Sequence, residues 1–153
     1  MKLHKTTMIF FTCFSIVLLL LAGSRCLAAE MPAADALAIK GYDTVAYFIS
    51  GKALKGSASF TAQWHGMTWY FSTPANRELF AADPEKYAPQ YDGYCAWAMT
   101  EARKALTDPQ VWKIVDGRLY LNCSQAAYDK WSKDIPGHIQ KADANWLKLQ
   151  GRN

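Results

Sequence analysis

The stretch "FTAQWHGMTWYF", residues 60–71, decides the fold class. With His65-Gly66 as a two-residue turn, Trp64 faces Met67, Ala62 faces Trp69 and Phe60 faces Phe71. These six residues then share one face, and Thr61, Gln63, Thr68 and Tyr70 share the other, as a half-buried β-hairpin requires. A second stretch, "VWKIVDGRLYL" at residues 111–121, repeats the logic, with Asp116-Gly117 as a type I′ turn signal. Trp112, Ile114, Leu119 and Leu121 fall on one face, opposite Lys113, Val115, Arg118 and Tyr120. Two hairpins with one apolar face each predict an α+β domain, a small antiparallel sheet packed on one face by several short helices.

The helices are marked by their punctuation. Thr73 caps a helix that has Pro74 at its first position and runs to about Ala82. Asp83-Pro84 repeats the start signal for a short turn, which Pro89 ends. Composition extends a helix from Cys95 to Leu106, closed by Asp108-Pro109. Ser124 caps another through Trp131, and Pro136-Gly137 interrupts the chain before a last helix. There Ile139, Ala142, Trp146 and Leu149 form one stripe at helical spacing. "GYDTVAYF", residues 41–48, reads as a turn around Asp43 followed by a strand.

Toward the N-terminus, Lys2 and Lys5 precede an apolar run over residues 8–23 and then small residues. The run is shorter than the roughly 20 residues of a spanning helix, so residues 1–29 read as a secretory signal cut after Ala28 or Ala29. An uncleaved signal would be the one route to membrane contact. "LAGSRC" has the outline of a lipoprotein box, but Arg25 is too bulky and charged beside Cys26. Residues 30–37 form an Ala-rich tether and residues 38–149 one domain, placed in the periplasm or secreted. From Glu30 onward there are 14 Lys+Arg against 13 Asp+Glu. That balance leaves no basic tract for nucleic acid.

Cys95 and Cys123 are the thiols of that domain, in a compartment that permits disulfides. Cys95 follows "YDG" at a Gly turn. A helix starting there would lower its pKa and favour the thiolate, the form that binds soft metals such as Cu(I) or attacks disulfides. Structural burial, metal or redox chemistry, and a disulfide to Cys123 are the three readings of this residue. Asp43 is a turn or capping carboxylate, or else a polar group sharing a pocket with Tyr42, Tyr47 or Cys95. His65 belongs to a hairpin turn and is a candidate surface metal ligand; His138 stands at a helix start. No HxxxH, CxxC or Ser/His/Asp pattern occurs, so a self-sufficient structural zinc site is not expected, and a Cys-His dyad has no local signature to support it. Six tryptophans and eight tyrosines mostly serve the core faces. Tyr42, Tyr47, Tyr91 and Tyr94 are candidates for a ligand groove.

"WYFSTPANRELFAADPEKYAPQYDGYCAWA", residues 69–98, resembles the YHS domain pattern: a strand ending in Phe-Ser, a Pro and Asn-Arg helix start, a Pro-Glu-x-Tyr turn and Gly-Tyr-Cys-Ala. With "AIKGYDTVAYFISGKALKGS" before it and "VWKIVDGRLYLNCS" after it, the resemblance is to an exported, single-domain branch and covers about residues 38–149. YHS domains accompany heavy-metal transporting ATPases and some oxygenases, and the resemblance implies metal binding. Where metal-associated members carry a Cys-Pro-x-Cys-like entry, this chain has "GYDTVAYF", and the Tyr-His-Ser triplet is absent. Cys95 alone carries over to a ligand position, and one thiol needs a further ligand to close a site.

The leading expectation is a non-catalytic binding module that handles or senses a soft metal ion, copper favoured, through Cys95, alongside a metal-handling or envelope protein partner. Asp43, His65 and Cys123 are secondary ligand candidates. The alternatives are a metal-free interaction or accessory domain with a structural Cys95, and a thiol redox protein.

Overall fold

The computed structural model describes residues 36–150; the signal, most of the tether, Cys13 and Cys26 lie outside the described residues. The elements are β1 (Ala36–Leu37), α1 (Thr44–Ile49), β2 (Ser57–Trp64), β3 (Met67–Phe71), α2 (Pro74–Ala82), α3 (Pro84–Tyr87), α4 (Ala96–Thr100), β4 (Asp108–Val115), β5 (Arg118–Asn122), α5 (Gln125–Trp131) and α6 (Ile135–Gln150). The class is α+β. Among the described residues, no helix is long and apolar enough to cross a membrane.

Both hairpins form at the expected turns. His65 and Gly66 take φ of 50° and 70°, and Asp116 and Gly117 take 49° and 73°, the paired left-handed conformation of a type I′ turn. Trp64 pairs with Met67 and Ala62 with Trp69, but a bulge then slips the register, so that Phe71 meets Ser57 instead of Phe60. Gly56 lies just before that slip. A Cβ there would come within 2.4 Å of the Tyr70 carbonyl carbon, so only glycine permits the approach.

The hairpins do not join into one sheet. β1 adds in parallel to β3, giving the order β1-β3-β2, while β4 and β5 form a separate two-stranded sheet. Nor is the second hairpin covered on one face only. Leu119 and Leu121 are fully buried against Trp69, Phe71, Phe80, Val45 and Tyr47. Tyr120, on the opposite face, is buried with Tyr91, Met99, Trp131 and Ala142. β5 is thus a wall between two aromatic-rich cores. Each buried aromatic there contributes about 2–3 kcal/mol by leaving water.

Two further expectations change. Residues 44–49 are helical, because the Asp43 carboxylate caps the Val45 and Ala46 N–H groups and Val45, Ala46 and Tyr47 are buried. Local β-propensity loses to that capped packing. The helix after Cys95 stops at Thr100, whose hydroxyl donates to the Trp97 carbonyl. Ala102 takes φ 54°, and the chain doubles back until the Cys95 N–H reaches the Ala105 carbonyl at 3.0 Å. Thr73, Asp83 and Ser124 cap α2, α3 and α5 as their positions suggested. Pro136 and Gly137 lie inside the first turn of α6 rather than breaking the chain, and Ser132–Asp134 makes the link from α5.

Candidate functional site

The chain approaches Cys95 through a tight turn, Gln90–Gly93, in which Tyr91 and Asp92 take left-handed φ of 60° and 51°. Gly93 follows at φ 80°, and a Cβ on it would come within 2.8 Å of Ile39 Cγ2. Cys95 is then the N-cap of α4, fully buried. Its Sγ accepts the Ala98 N–H at 3.5 Å and the Cys123 N–H at 3.1 Å. Its S–H points at Asn122 Oδ1, 3.8 Å away. That oxygen also accepts the Trp97 N–H at 3.1 Å, while the buried Asn122 Nδ2 has no partner.

Cys123 leaves β5 half-buried, beside Cys95, Ala98, Ala127 and Trp97. Two thiols 28 residues apart in sequence, both free, therefore become neighbours where the start of α4 meets the end of β5. The helix start does not make Cys95 acidic. Burial pushes its pKa up to about 11, outweighing the downward pull of the Ala98 and Cys123 N–H groups, and the adjacent Cys123 thiol adds to the rise. At neutral pH Cys95 is a thiol. A nearby positive charge would favour its thiolate.

Asp43 belongs to a different part of the molecule. It is fully buried, and its Oδ1 accepts Val45 N–H at 2.9 Å and Ala46 N–H at 3.2 Å. Its Oδ2 accepts Ser72 N–H at 2.8 Å, Ser72 Oγ at 2.6 Å and Asn76 Nδ2 at 2.6 Å. This carboxylate ties α1 to the end of β3 and the start of α2, and shares no bonding partner with Cys95. Sequence reasoning missed Ser72, Asn76 and Asn122, polar residues whose buried roles have no local signature.

His65 is exposed in its turn, stacked on Trp64 at 3.5 Å, with Nδ1 3.0 Å from Asp92 Oδ1. His138 Nδ1 lies 2.8 Å from the Trp131 carbonyl, and its ring meets the edge of Trp97 at 5.2 Å. The four tyrosines do not share a groove. Tyr47 and Tyr91 are core residues whose hydroxyls donate to the Pro109 carbonyl and to Asp143. Tyr42 accepts from Gln110, and its ring lies under Lys55 Nζ. Only Tyr94 reaches the apolar cavity of about 240 Å³ that Leu37, Ile39, Met67 and Leu106 also line.

Among the described residues, no group of three or more His, Cys, Asp or Glu side chains is arranged to hold a metal ion. A four-coordinate zinc site does not fit these residues. A pair of sulfurs, one with two backbone N–H donors aimed at it, fits a soft ion content with few ligands. The candidate soft donors among the described residues are the two cysteine sulfurs.

No curated protein and no solved structure shows significant similarity to this chain. The YHS domain family model matches residues 45–91, from α1 through the turn before Cys95, and leaves both thiols and Asp43 outside the matched segment. The matched segment contains Trp69, Phe71 and Phe80 of the first core, whose remaining walls, among them Leu119 and Leu121, lie outside it. The similarity to the YHS domain family thus rests on residues 45–91.

Proposed function

We propose that the protein is an exported, non-catalytic binding module that takes a soft metal ion, Cu(I) foremost, on the Cys95–Cys123 thiol pair. The observation that carries this reading is the Cys123 N–H lying 3.1 Å from Cys95 Sγ, which brings the second thiol beside the first. A neutral thiol is a weak acceptor, yet Cys95 receives two backbone donors. Such donors favour a thiolate, while burial opposes a bare one. A soft cation bound to sulfur meets both conditions, since it supplies the missing charge inside the protein. Half-buried Cys123 gives the ion its approach. YHS domains are associated in general with metal handling, copper included. Export rests on the basic and apolar N-terminal pattern, and the supplier or recipient of the ion would be an envelope protein.

The test is a competition for Cu(I) between the reduced protein and a chromogenic chelator, with Cys13→Ser and Cys26→Ser in every sample. The background protein withholds one equivalent, and Cys95→Ser and Cys123→Ser each lose about 100-fold in affinity, near 3 kcal/mol. Equal, weak binding by all three rejects the reading.

A second reading is favoured by one observation, the complete burial of Cys95 with its raised pKa. Here the thiol is a structural cap, and the domain is a metal-free accessory module. Cys95→Ala would then lower stability while leaving the weak Cu(I) affinity of the wild type unaltered.

A further inference from the structure

We infer that Cys95 and Cys123 form a reversible dithiol–disulfide couple, entered through Cys123, and that its oxidation closes the site to metal. The inference concerns the thiol pair of the proposed metal site, but the couple itself needs no metal.

Three observations carry it. The first is reach. Cys95 Sγ is 3.1 Å from the backbone nitrogen of Cys123. One N–Cα bond on one side and one Cα–Cβ–Sγ arm on the other then hold the two Cα atoms to roughly 7 Å or less, within the range a disulfide spans. The second is asymmetry. Cys95 is fully buried, whereas Cys123 is part-exposed, so an external reagent meets Cys123 first. The third is room. Cys95 and Cys123 pack in one cluster with Ala98, Ala105, Ala127 and Trp97, so small alanine side chains make up most of their surroundings and Trp97 is the one bulky neighbour in it.

The oxidant is a low-molecular-weight disulfide, RSSR. Cys123 loses its proton to solvent and its sulfur attacks one sulfur of RSSR. A Cys123–SR bond forms, the external S–S bond breaks, and the first RS⁻ leaves and takes up a proton. Cys95 then gives up its proton to solvent and attacks Cys123 Sγ. The Cys95–Cys123 bond forms, and the second RS⁻ leaves and is protonated. The protein loses two electrons and two protons, and RSSR gains them as two RSH. The mixed disulfide brings a buried thiol and an attackable sulfur together, so intramolecular closure outruns a second encounter with RSSR. In the bridged form neither sulfur is a thiolate, and no metal ligand remains at the site.

The experiment incubates metal-free full-length protein in glutathione buffers of stepped redox ratio, followed by alkylation, trypsin and mass mapping. The expected product is a cross-linked pair of peptides covering residues 87–103 and 119–130. It is lighter than the two free peptides together by two hydrogens and is reversed by reducing buffer. Cys95→Ser should stop at glutathione on Cys123, and Cys123→Ser should leave Cys95 unmodified. Trp97 packs beside both cysteines, so its fluorescence should change with the cross-link. A wild type that keeps both thiols free across the range, or that accumulates glutathione on Cys123 without closing, overturns the inference, whatever the variants do. The metal titration is run on reduced protein. Reversible bridging without Cu(I) binding removes the metal reading alone, and Cu(I) binding without bridging removes this inference alone. With both correct, the bridged protein loses its Cu(I) equivalent and regains it on reduction.

Discussion

Replacing Asp43 by alanine should be the most damaging single change away from the thiols. Its carboxylate receives five donors: two N–H groups at the start of α1, the Ser72 N–H and hydroxyl, and the Asn76 amide. Loss of an N-cap acceptor costs about 1–2 kcal/mol. The buried Asn76 amide would keep only Ser72 Oγ at 3.3 Å, and the part-buried Ser72 N–H would lose its acceptor, at about 1–3 kcal/mol for each donor left under-paired. Water entering the gap and partial rearrangement of Ser72 reduce the sum, so we expect about 4 kcal/mol. For a domain of this size that lowers Tm by roughly 15–25 °C. Far-UV circular dichroism during urea and thermal unfolding measures it. Asp43→Asn keeps the shape but turns one acceptor into a donor facing other donors, and should cost about 2 kcal/mol. Both variants should keep the metal stoichiometry of the wild type if they are assayed while folded. An Asp43→Ala variant within about 1 kcal/mol of wild type would refute the claim that this carboxylate ties α1, β3 and α2 together.

Other consequences are more local. The Cys95 thiol has its pKa raised from 9.0 to about 11 by burial, so its proton is held more tightly in the folded state. The folded protein therefore binds more protons than the unfolded chain between about pH 9 and pH 11. Stability attributable to Cys95 is complete below pH 9 and declines by about 2–3 kcal/mol as pH rises through that window. Urea titrations of reduced, metal-free protein at stepped pH should show that decline, and Cys95→Ser should flatten it; burial also raises the Tyr47 and Tyr91 pKa values, so these residues steepen the decline above pH 10. Gly93→Ala should destabilise by about 2–3 kcal/mol, from a left-handed φ of 80° and a Cβ contact of 2.8 Å with Ile39. A matched Ile39→Ala change, which removes the Cγ2 methyl that the new Cβ would meet, should make the double variant lose less than the sum of the two single losses. Tyr91→Phe removes the hydrogen bond to Asp143 at 2.8 Å and should cost about 1 kcal/mol in the same urea assay.

Much of the fold can be read from short-range signals. The Asp116-Gly117 and His65-Gly66 turns, the Trp64–Met67 and Trp112–Leu121 pairings and the Thr73, Asp83 and Ser124 caps all depend on residues close in sequence. What escaped depends on distant partners. Two hairpins with apolar faces do not say whether their edges pair or their faces pack, and here Leu119 and Leu121 pack face-on against Trp69 and Phe71. Tyr120 alternates correctly for a solvent face, and the return of the chain through Tyr91, α4, α5 and α6 covers it. Val45, Tyr47 and Phe48 favour a strand, but an Asp43 carboxylate with five donors fixes a helix. The site divides in the same way. Cys95 at a Gly turn was legible as the residue of interest, and its cap position follows from "GYCA". Its neighbour was not, because the meeting of Cys123 with Cys95 requires the second hairpin to return across α4. Burial, which reverses the expected acidity of the thiol, is likewise a property of the packed core.

X-ray absorption at the copper edge, on Cu(I)-loaded, desalted protein carrying Cys13→Ser and Cys26→Ser, reads the ligands of the bound ion directly. Binding on the Cys95–Cys123 pair predicts one retained copper per chain with two sulfur neighbours, and loss of that sulfur pair in Cys123→Ser. Retained copper surrounded by nitrogen or oxygen, or a sulfur shell that survives Cys123→Ser, would contradict it.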